Sequence, residues 1–278
     1  MAADLATDAA TETTTDTAGT ERLVLRRDAG GVTTLQLNRP ARANLLSEAM
    51  LGALQAEFDA LADDARLRCV VLAAEGRTFS GGHDLRELRA EPDHARYSTL
   101  FSRCSRLMLS IRALPVPVIA RVQGTASAAG CQLVAACDLA VAADTARFAV
   151  AGIDVGLFCA TPAVALSRAV APKRAFDMLV SGRFIDAATA LDWGLINEMV
   201  PADALDAAVA SRAATIVAKA PAAVRRGKAM FYRQREMLLD DAYLYAADVM
   251  AANLMEAETA GQIDAFLDRS GRGGEGGR

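Results

Sequence analysis

The chain has 278 residues, of which 53% are hydrophobic, enough for one large domain or a domain with an appendage. Its net charge of −4 gives no basic footprint for nucleic acid, and no apolar run reaches the ~18–20 residues of a membrane span. Five cysteines without close CxxC pairs read as buried free thiols in a reducing compartment. The only histidines, His83 and His94, stand outside any zinc-type spacing, which argues against a metal site.

Residues 1–20 are acidic and rich in Ala and Thr. They lack the pattern of a signal or transit peptide and read as a disordered tail on a cytoplasmic protein. Arg22 to Arg27 and Val32 to Asn38 alternate around Asp28-Ala-Gly-Gly31 and predict a hairpin. Ser47 is placed as an N-cap, with Met50, Leu51, Leu54, Phe58 and Leu61 on one helix face. Arg68 to Ala73 predicts a buried strand that runs into a loop, Glu75 to Asp84, and a long helix follows over Asp93 to Arg112. Val116 to Val122 is another buried strand, followed by small residues from Gly124 to Gly130 and by Cys131, Leu133, Val134 and Cys137 at helical spacing. Asp138 to Ala142 and Ala146 to Ala149 predict strands. Pro162 to Val170, Lys173 to Val180 and Ala187 to Asp192 predict helices, with extended links at Phe184 to Asp186 and Leu195 to Val200. After Pro201 the pattern is wholly helical. The expected organisation is therefore α/β, with a core over 21–200, an all-helical region over 201–269 and a glycine-rich flexible tail over 270–278.

Two loops carry the chemistry. Phe79-Ser-Gly-Gly-His-Asp-Leu85 and Gly124-Thr-Ala-Ser-Ala-Ala-Gly130 each follow a buried strand, and both are rich in small residues. The second opens a helix whose first N–H groups lack internal partners and carry about half a positive charge. Such an end can hold a phosphate, a carboxylate or a developing oxyanion, or can merely let the helix pack closely on a sheet. If both loops face one carbonyl oxygen, their backbone N–H groups make a two-donor oxyanion hole.

In order, the segments NRPARANLLS, FSGGHDL, QGTASAAGCQLVAACDLAVA, FAVAGIDVGLF, LVSGRFIDAATALDWGLINEMVP and GQIDAFLDR resemble the crotonase superfamily of enoyl-CoA hydratases and isomerases. The likeness spans about residues 21–269. GHDL, AAGCQLVA and VGLFC are most similar to the enoyl-CoA hydratase domain-containing protein 3 group within it. The resemblance implies a ββα superhelix whose C-terminal helical region makes trimers, often paired into hexamers. It implies an acyl-CoA thioester as ligand, with coenzyme A entering as part of the substrate and no separate cofactor. Gly81 and Ala129 fall where the family has its oxyanion donors. Arg42, Ala43, Leu45, Ser80, Gly81, Gly82, His83, Asp84, Leu85, Ala128, Ala129 and Gly152 fall at its substrate and CoA positions, and Arg269 where a basic residue commonly meets a CoA phosphate. Hydratases of the family place water with two glutamates; the matching positions hold Gln132 and Gly152.

Asp154 shares a face with Gly152 if that segment is extended, and otherwise is a surface residue. Cys159 lines the acyl pocket or packs as a buried thiol. His83 donates to a thioester or carboxylate, or simply packs against CoA. Asp84 and Asp138 fall at positions that tie loops to backbone. The GHD context also resembles the methylmalonyl-CoA decarboxylase branch, whose chemistry needs little acid–base machinery, although that branch has a tyrosine where Cys159 stands. The expected functions are thus an enzyme that stabilises a thioester enolate, a decarboxylase of the same superfamily, or a catalytically weak acyl-CoA-binding protein.

Overall fold

Residues 22–273 are described by a computed structural model of the chain; the tail expected at 1–20 lies outside them. The hairpin forms as β1 (Val24–Ala29) and β2 (Val32–Leu37), with Ala29 opposite Val32 across Gly30-Gly31. Ser47 caps α1 (Glu48–Ala62) by accepting from the Met50 N–H at 3.2 Å, and all five residues assigned to the inner face are buried. The next strand, β3 (Cys69–Ala74), is buried at every position, as a parallel strand covered on both faces must be.

The chain then repeats one unit three times. β3 leads to β4 (Thr78–Ser80), a short α2 (Leu85–Ala90) and the long α3 (His94–Ala113), which Asp93 caps. The second unit is β5 (Val118–Val122), β6 (Thr125–Ser127) and α4 (Ala129–Ala136). The third is β7 (Leu139–Ala143), β8 (Arg147–Ala149), a 3-10 turn at Ala151–Val155 and α5 (Ala160–Ala169). Then follow α6 (Pro172–Ser181), β9 (Ile185–Asp186), α7 (Ala187–Asp192) and β10 (Glu198–Val200). The first strand of each unit joins a six-stranded sheet of order β1-β2-β3-β5-β7-β10; the second joins a four-stranded sheet of order β4-β6-β8-β9. β3, β5 and β7 run parallel, as do β4, β6 and β8. Each turn thus adds one strand to each sheet before its helix, which is a ββα superhelix. Phe58, Phe79 and Phe148 are among the largest fully buried side chains of its core.

Three local expectations are corrected. Gly124–Gly130 is not a single turn, since it contains β6, and the loop Glu75–Asp84 contains β4. Strands of three residues are too short to show alternation. The segment around Asp154 is a 3-10 turn rather than extended chain, so Gly152 and Asp154 do not share a face in the manner expected.

The chain divides into two compact units between Ala214 and Thr215, within α8 (Leu205–Val217). The second contains α9 (Pro221–Gln234), α10 (Leu239–Leu254) and α11 (Ala257–Gly273). α11 runs past Ser270, where the sequence suggests a tail, and the rest of that stretch lies outside the described residues. Within this unit Arg226 pairs with Glu256, and the Arg233 guanidinium lies 4.8 Å from the Tyr245 ring centroid. Leu238, Tyr243, Leu244, Met250 and Met255 are exposed, Met255 at 85%.

Candidate functional site

Asn44, fully buried, knots the first side of the site. Its amide nitrogen donates to the carbonyls of Glu75 (2.9 Å) and Thr78 (2.7 Å), and its side-chain oxygen accepts from Arg39 N (2.9 Å). Next to it, residues 43–46 zip onto the loop after β4. The Gly81 N–H donates to Ala43 O (2.9 Å), the Leu46 N–H to Gly82 O (2.8 Å) and the Ser80 hydroxyl to Asn44 O (2.9 Å). Asp84 closes the arrangement. It caps α2 by accepting from Arg86 N (3.0 Å) and pairs with Arg42 at 2.7 Å. Asp138 likewise ties down backbone, accepting from Val118 N at 2.7 Å.

The two sequence-assigned loops touch. A Cβ on Gly82 would sit 2.9 Å from Ala128 Cβ and 3.1 Å from Ala129 N, and one on Gly130 only 2.2 Å from Ser80 O. No side chain fits at either contact, which explains the run of small residues. Ala128 itself adopts φ 50°, ψ −119°, a conformation that non-glycine residues rarely hold. Its N–H donates to Ala149 O at 2.9 Å, fixing the strand β8 edge to the start of α4. Because this strain is relieved without a side chain, Ala128→Gly is expected to stabilise the protein by about 1 kcal/mol net of the glycine's chain entropy, measured as a shift in urea midpoint.

The amides divide clearly. Gly81, expected as a donor, already spends its N–H on Ala43 O. Gly82 donates to the Ser80 hydroxyl at 3.3 Å. Among the described residues, no group accepts from the N–H of His83 or of Ala129, the first residue of α4. Both flank the contact between the loops; no described group accepts from the N–H of Asp84, Leu85, Gly130 or Cys131 either, as expected at the starts of α2 and α4.

The His83 ring lies against the same loop. Its Nδ1 is 3.1 Å from Leu46 O, and it meets Phe101 edge-on, with centroids 5.5 Å apart and planes at 73°. Burial pushes its pKa below the usual imidazole value, outweighing the Leu46 carbonyl, which acts the other way. Its Nε2 is buried and has no partner among the described residues. Phe101, with Tyr97, Ser98, Ser102 and Ser105 on α3 and Thr161 on α5, also lines an open groove of about 700 Å³. These residues escaped the sequence reading. The only signal was the serine spacing at 98, 102 and 105, which puts three hydroxyls on one helix face.

At the two positions matched to the family's glutamates, the side chains are not acids. Gln132 is 3% exposed, and its Oε1 lies 3.9 Å from Cys104 Sγ. Gly152 is crowded: a Cβ there would lie 2.5 Å from Leu157 O and 2.7 Å from Cys159 Sγ. Asp154 is exposed, with Oδ1 2.6 Å from where a Gly182 Cβ would be, at the end of α6 rather than between the two loops. All five cysteines are buried free thiols. Burial pushes Cys104 and Cys131 up to about 12 and raises Cys159 as well. They stay protonated at neutral pH, so native protein is expected to react with a thiol probe far more slowly than urea-unfolded protein, counted by mass spectrometry.

The remaining positions expected at a CoA ester differ in exposure and in the unit they belong to. Arg42 is half exposed, Leu85 is exposed, and Leu45 packs under Gly81. Arg269 belongs to α11 in the second unit, and its side chain lies outside the described residues.

The Enoyl-CoA hydratase/isomerase family profile matches residues 27–271. The chain is 55% identical to a crystal structure of an enoyl-CoA hydratase from Mycobacterium smegmatis, with TM-score 0.89, covering 90% of this chain and 97% of that one. It is 43% identical to the structure of human enoyl Coenzyme A hydratase domain-containing protein 3, with TM-score 0.87, covering 89% and 98%. The Xenopus laevis protein named enoyl-CoA hydratase domain-containing protein 3, mitochondrial, is 44% identical over 239 residues, 86% of this chain and 81% of that protein. With its ββα superhelix and helical C-terminal region, the chain belongs to the enoyl-CoA hydratase/isomerase family, the crotonase superfamily.

Proposed function

We propose that the protein is an acyl-CoA-processing enzyme that holds a thioester carbonyl between the N–H groups of His83 and Ala129. The observation that carries this reading is the contact of Gly82 with Ala128 and Ala129, which brings together two loops that each offer an amide without a described acceptor beside it, His83 on one and Ala129 on the other. An enolate oxygen there meets two donors and the positive end of α4. His83 takes the part expected of Gly81, whose amide is occupied. Arg42, Ala43 and Leu45 on one side, and Ser80 to Leu85 on the other, would cradle the CoA portion. The Gly152 backbone would border the acyl group.

Two-carboxylate hydration does not fit a buried Gln132 and a Gly152 without room for a side chain. Reactions that need mainly a stabilised enolate fit better: proton exchange, double-bond shift or decarboxylation. The same two residues favour a second reading, a protein that binds acyl-CoA with little catalysis. Incubation with butyryl-CoA and crotonyl-CoA in heavy water, and with malonyl- and methylmalonyl-CoA, separates the two. Deuterium uptake, isomerised product or CO₂ release supports the enzyme. Tight binding with none of these supports the binding protein, and absence of binding to every ester overturns both.

A homotrimer, or a hexamer formed from two, belongs to this reading. The exposed Leu244, Met250 and Met255 of the helical unit give such an assembly apolar surface to bury; light scattering after size exclusion reads the mass. No described helix is long and apolar enough alone to cross a membrane. Five buried free thiols suit a reducing compartment, which this reading takes to be the cytoplasm, whereas the Xenopus relative bears a mitochondrial name; cell fractionation decides.

A further inference from the structure

One polar atom at the site has no use in holding a carbonyl. Nε2 of His83 is buried, and no group among the described residues bonds to it. The other ring nitrogen fixes what that atom can do. Nδ1 lies 3.1 Å from the Leu46 carbonyl oxygen, which can only accept, so Nδ1 carries the ring hydrogen. In the neutral imidazole, Nε2 is then a lone-pair acceptor. Burial favours this neutral form, and no charged side chain contributes to the shift. Asp84 on the same loop is engaged with Arg42, and Glu87 on α2 is turned to the Glu48 amide. From α3, the group that meets the ring is Phe101.

Among the residues matched to the family's reacting centre, the others do not supply a base there. Gln132 does not titrate, and Gly152 has no side chain. Asp154 sits exposed beside Gly182, and burial holds the thiols of Cys104 and Cys131 protonated. Resting on the acyl-CoA reading above, we propose that Nε2 of His83 is the base that removes a proton from the carbon next to the thioester carbonyl. One residue then serves both ends of the reacting unit. Its backbone N–H holds the carbonyl oxygen, and its ring reaches the carbon two bonds away. Phe101 covers the ring and also lines the groove on α3, so a turn of that phenyl side chain opens Nε2 to an acyl chain lying there.

In the step itself the carbon–hydrogen bond breaks and its proton goes to Nε2. The bonding pair becomes the enolate double bond. The carbonyl pair moves to oxygen, which the His83 and Ala129 amides hold. The imidazolium then returns the proton to the same carbon, or to one further along an unsaturated chain, which shifts the double bond. No oxidant, reductant or second substrate is needed.

The test compares wild-type protein with His83→Gln, which keeps the backbone N–H and much of the side-chain volume but has no basic ring nitrogen. Exchange of the butyryl-CoA α-hydrogens into heavy water is followed by NMR, and butyryl-CoA affinity by calorimetry. The expected result is a fall in exchange of about 100-fold or more, with affinity in the same order of magnitude. Unchanged exchange in the variant overturns the proposal. So does a wild-type protein that binds the ester without exchange, although the site would stand as a binding site. Failure of wild-type protein to bind any acyl-CoA instead removes the site reading, and the base with it. If the variant does not fold, nitrogen-15 spectra of the two wild-type histidines answer separately. His83 is expected as the Nδ1–H tautomer with a bare Nε2 that shifts when butyryl-CoA is added, and an Nε2–H tautomer would contradict the assignment.

Discussion

Gly82→Ala is expected to reduce acyl-CoA turnover by about 10²–10³-fold, the loss typical of one displaced oxyanion donor. Gly82 has φ +87°, and its added methyl would lie 2.9 Å from Ala128 Cβ, 3.0 Å from Ser127 O and 3.1 Å from Ala129 N. Neither backbone segment can yield alone. Ser127 is in β6, and Ala128 is anchored to Ala149 O. The loops must therefore part, which separates the His83 amide from the Ala129 amide. Strain and crowding together are expected to cost about 1–3 kcal/mol of stability. Gly52→Ala is the control, since a methyl on that helical glycine meets nothing within 4 Å. It is expected to add about 0.5–1 kcal/mol and to leave turnover alone. Urea titration and steady-state kinetics on both variants separate damage to the site from damage to the fold.

Gly152→Glu, the substitution that would restore a family acid, is expected to destabilise the protein by about 2–4 kcal/mol and to yield no hydratase. The new Cβ would overlap Leu157 O at 2.5 Å and Cys159 Sγ at 2.7 Å. Removing the thiol by Cys159→Ala clears only one of these obstacles, because the Leu157 carbonyl is backbone. Adding Gln132→Glu would in addition bury a carboxylate beside the Cys104 thiol. Thermal melting and hydration of crotonyl-CoA measure the outcome. A stable double variant that hydrates crotonyl-CoA would show that this segment yields readily and that the acids were lost without structural consequence.

Local physics made much of the fold legible. The period-two pattern before and after Gly30-Gly31 gave the hairpin, and Ser47 marked the start of α1 through its capping oxygen. Small residues at 124–130 signalled close approach, and Ser80 O beneath Gly130 is what approaches. Non-local contacts were not legible. β4 and β6 exist because they pair with each other, about 47 residues apart in register from Thr78 to Thr125. Nothing in FSGGHDL tells that Ala43 consumes the Gly81 amide and leaves the His83 amide unspent, since the acceptor lies in another loop. The 3-10 turn that leaves Asp154 at the surface was not legible for a related reason: it ends at Gly156, which accommodates the reversal, and no periodicity reports it.

A crystal structure of the protein with bound butyryl-CoA tests the central claim most directly. The thioester oxygen is predicted to lie within about 3 Å of both the His83 and Ala129 nitrogens, with the Gly81 amide still on Ala43. A carbonyl bound by neither amide, or held by Gly81 after its bond to Ala43 has broken, would contradict the account.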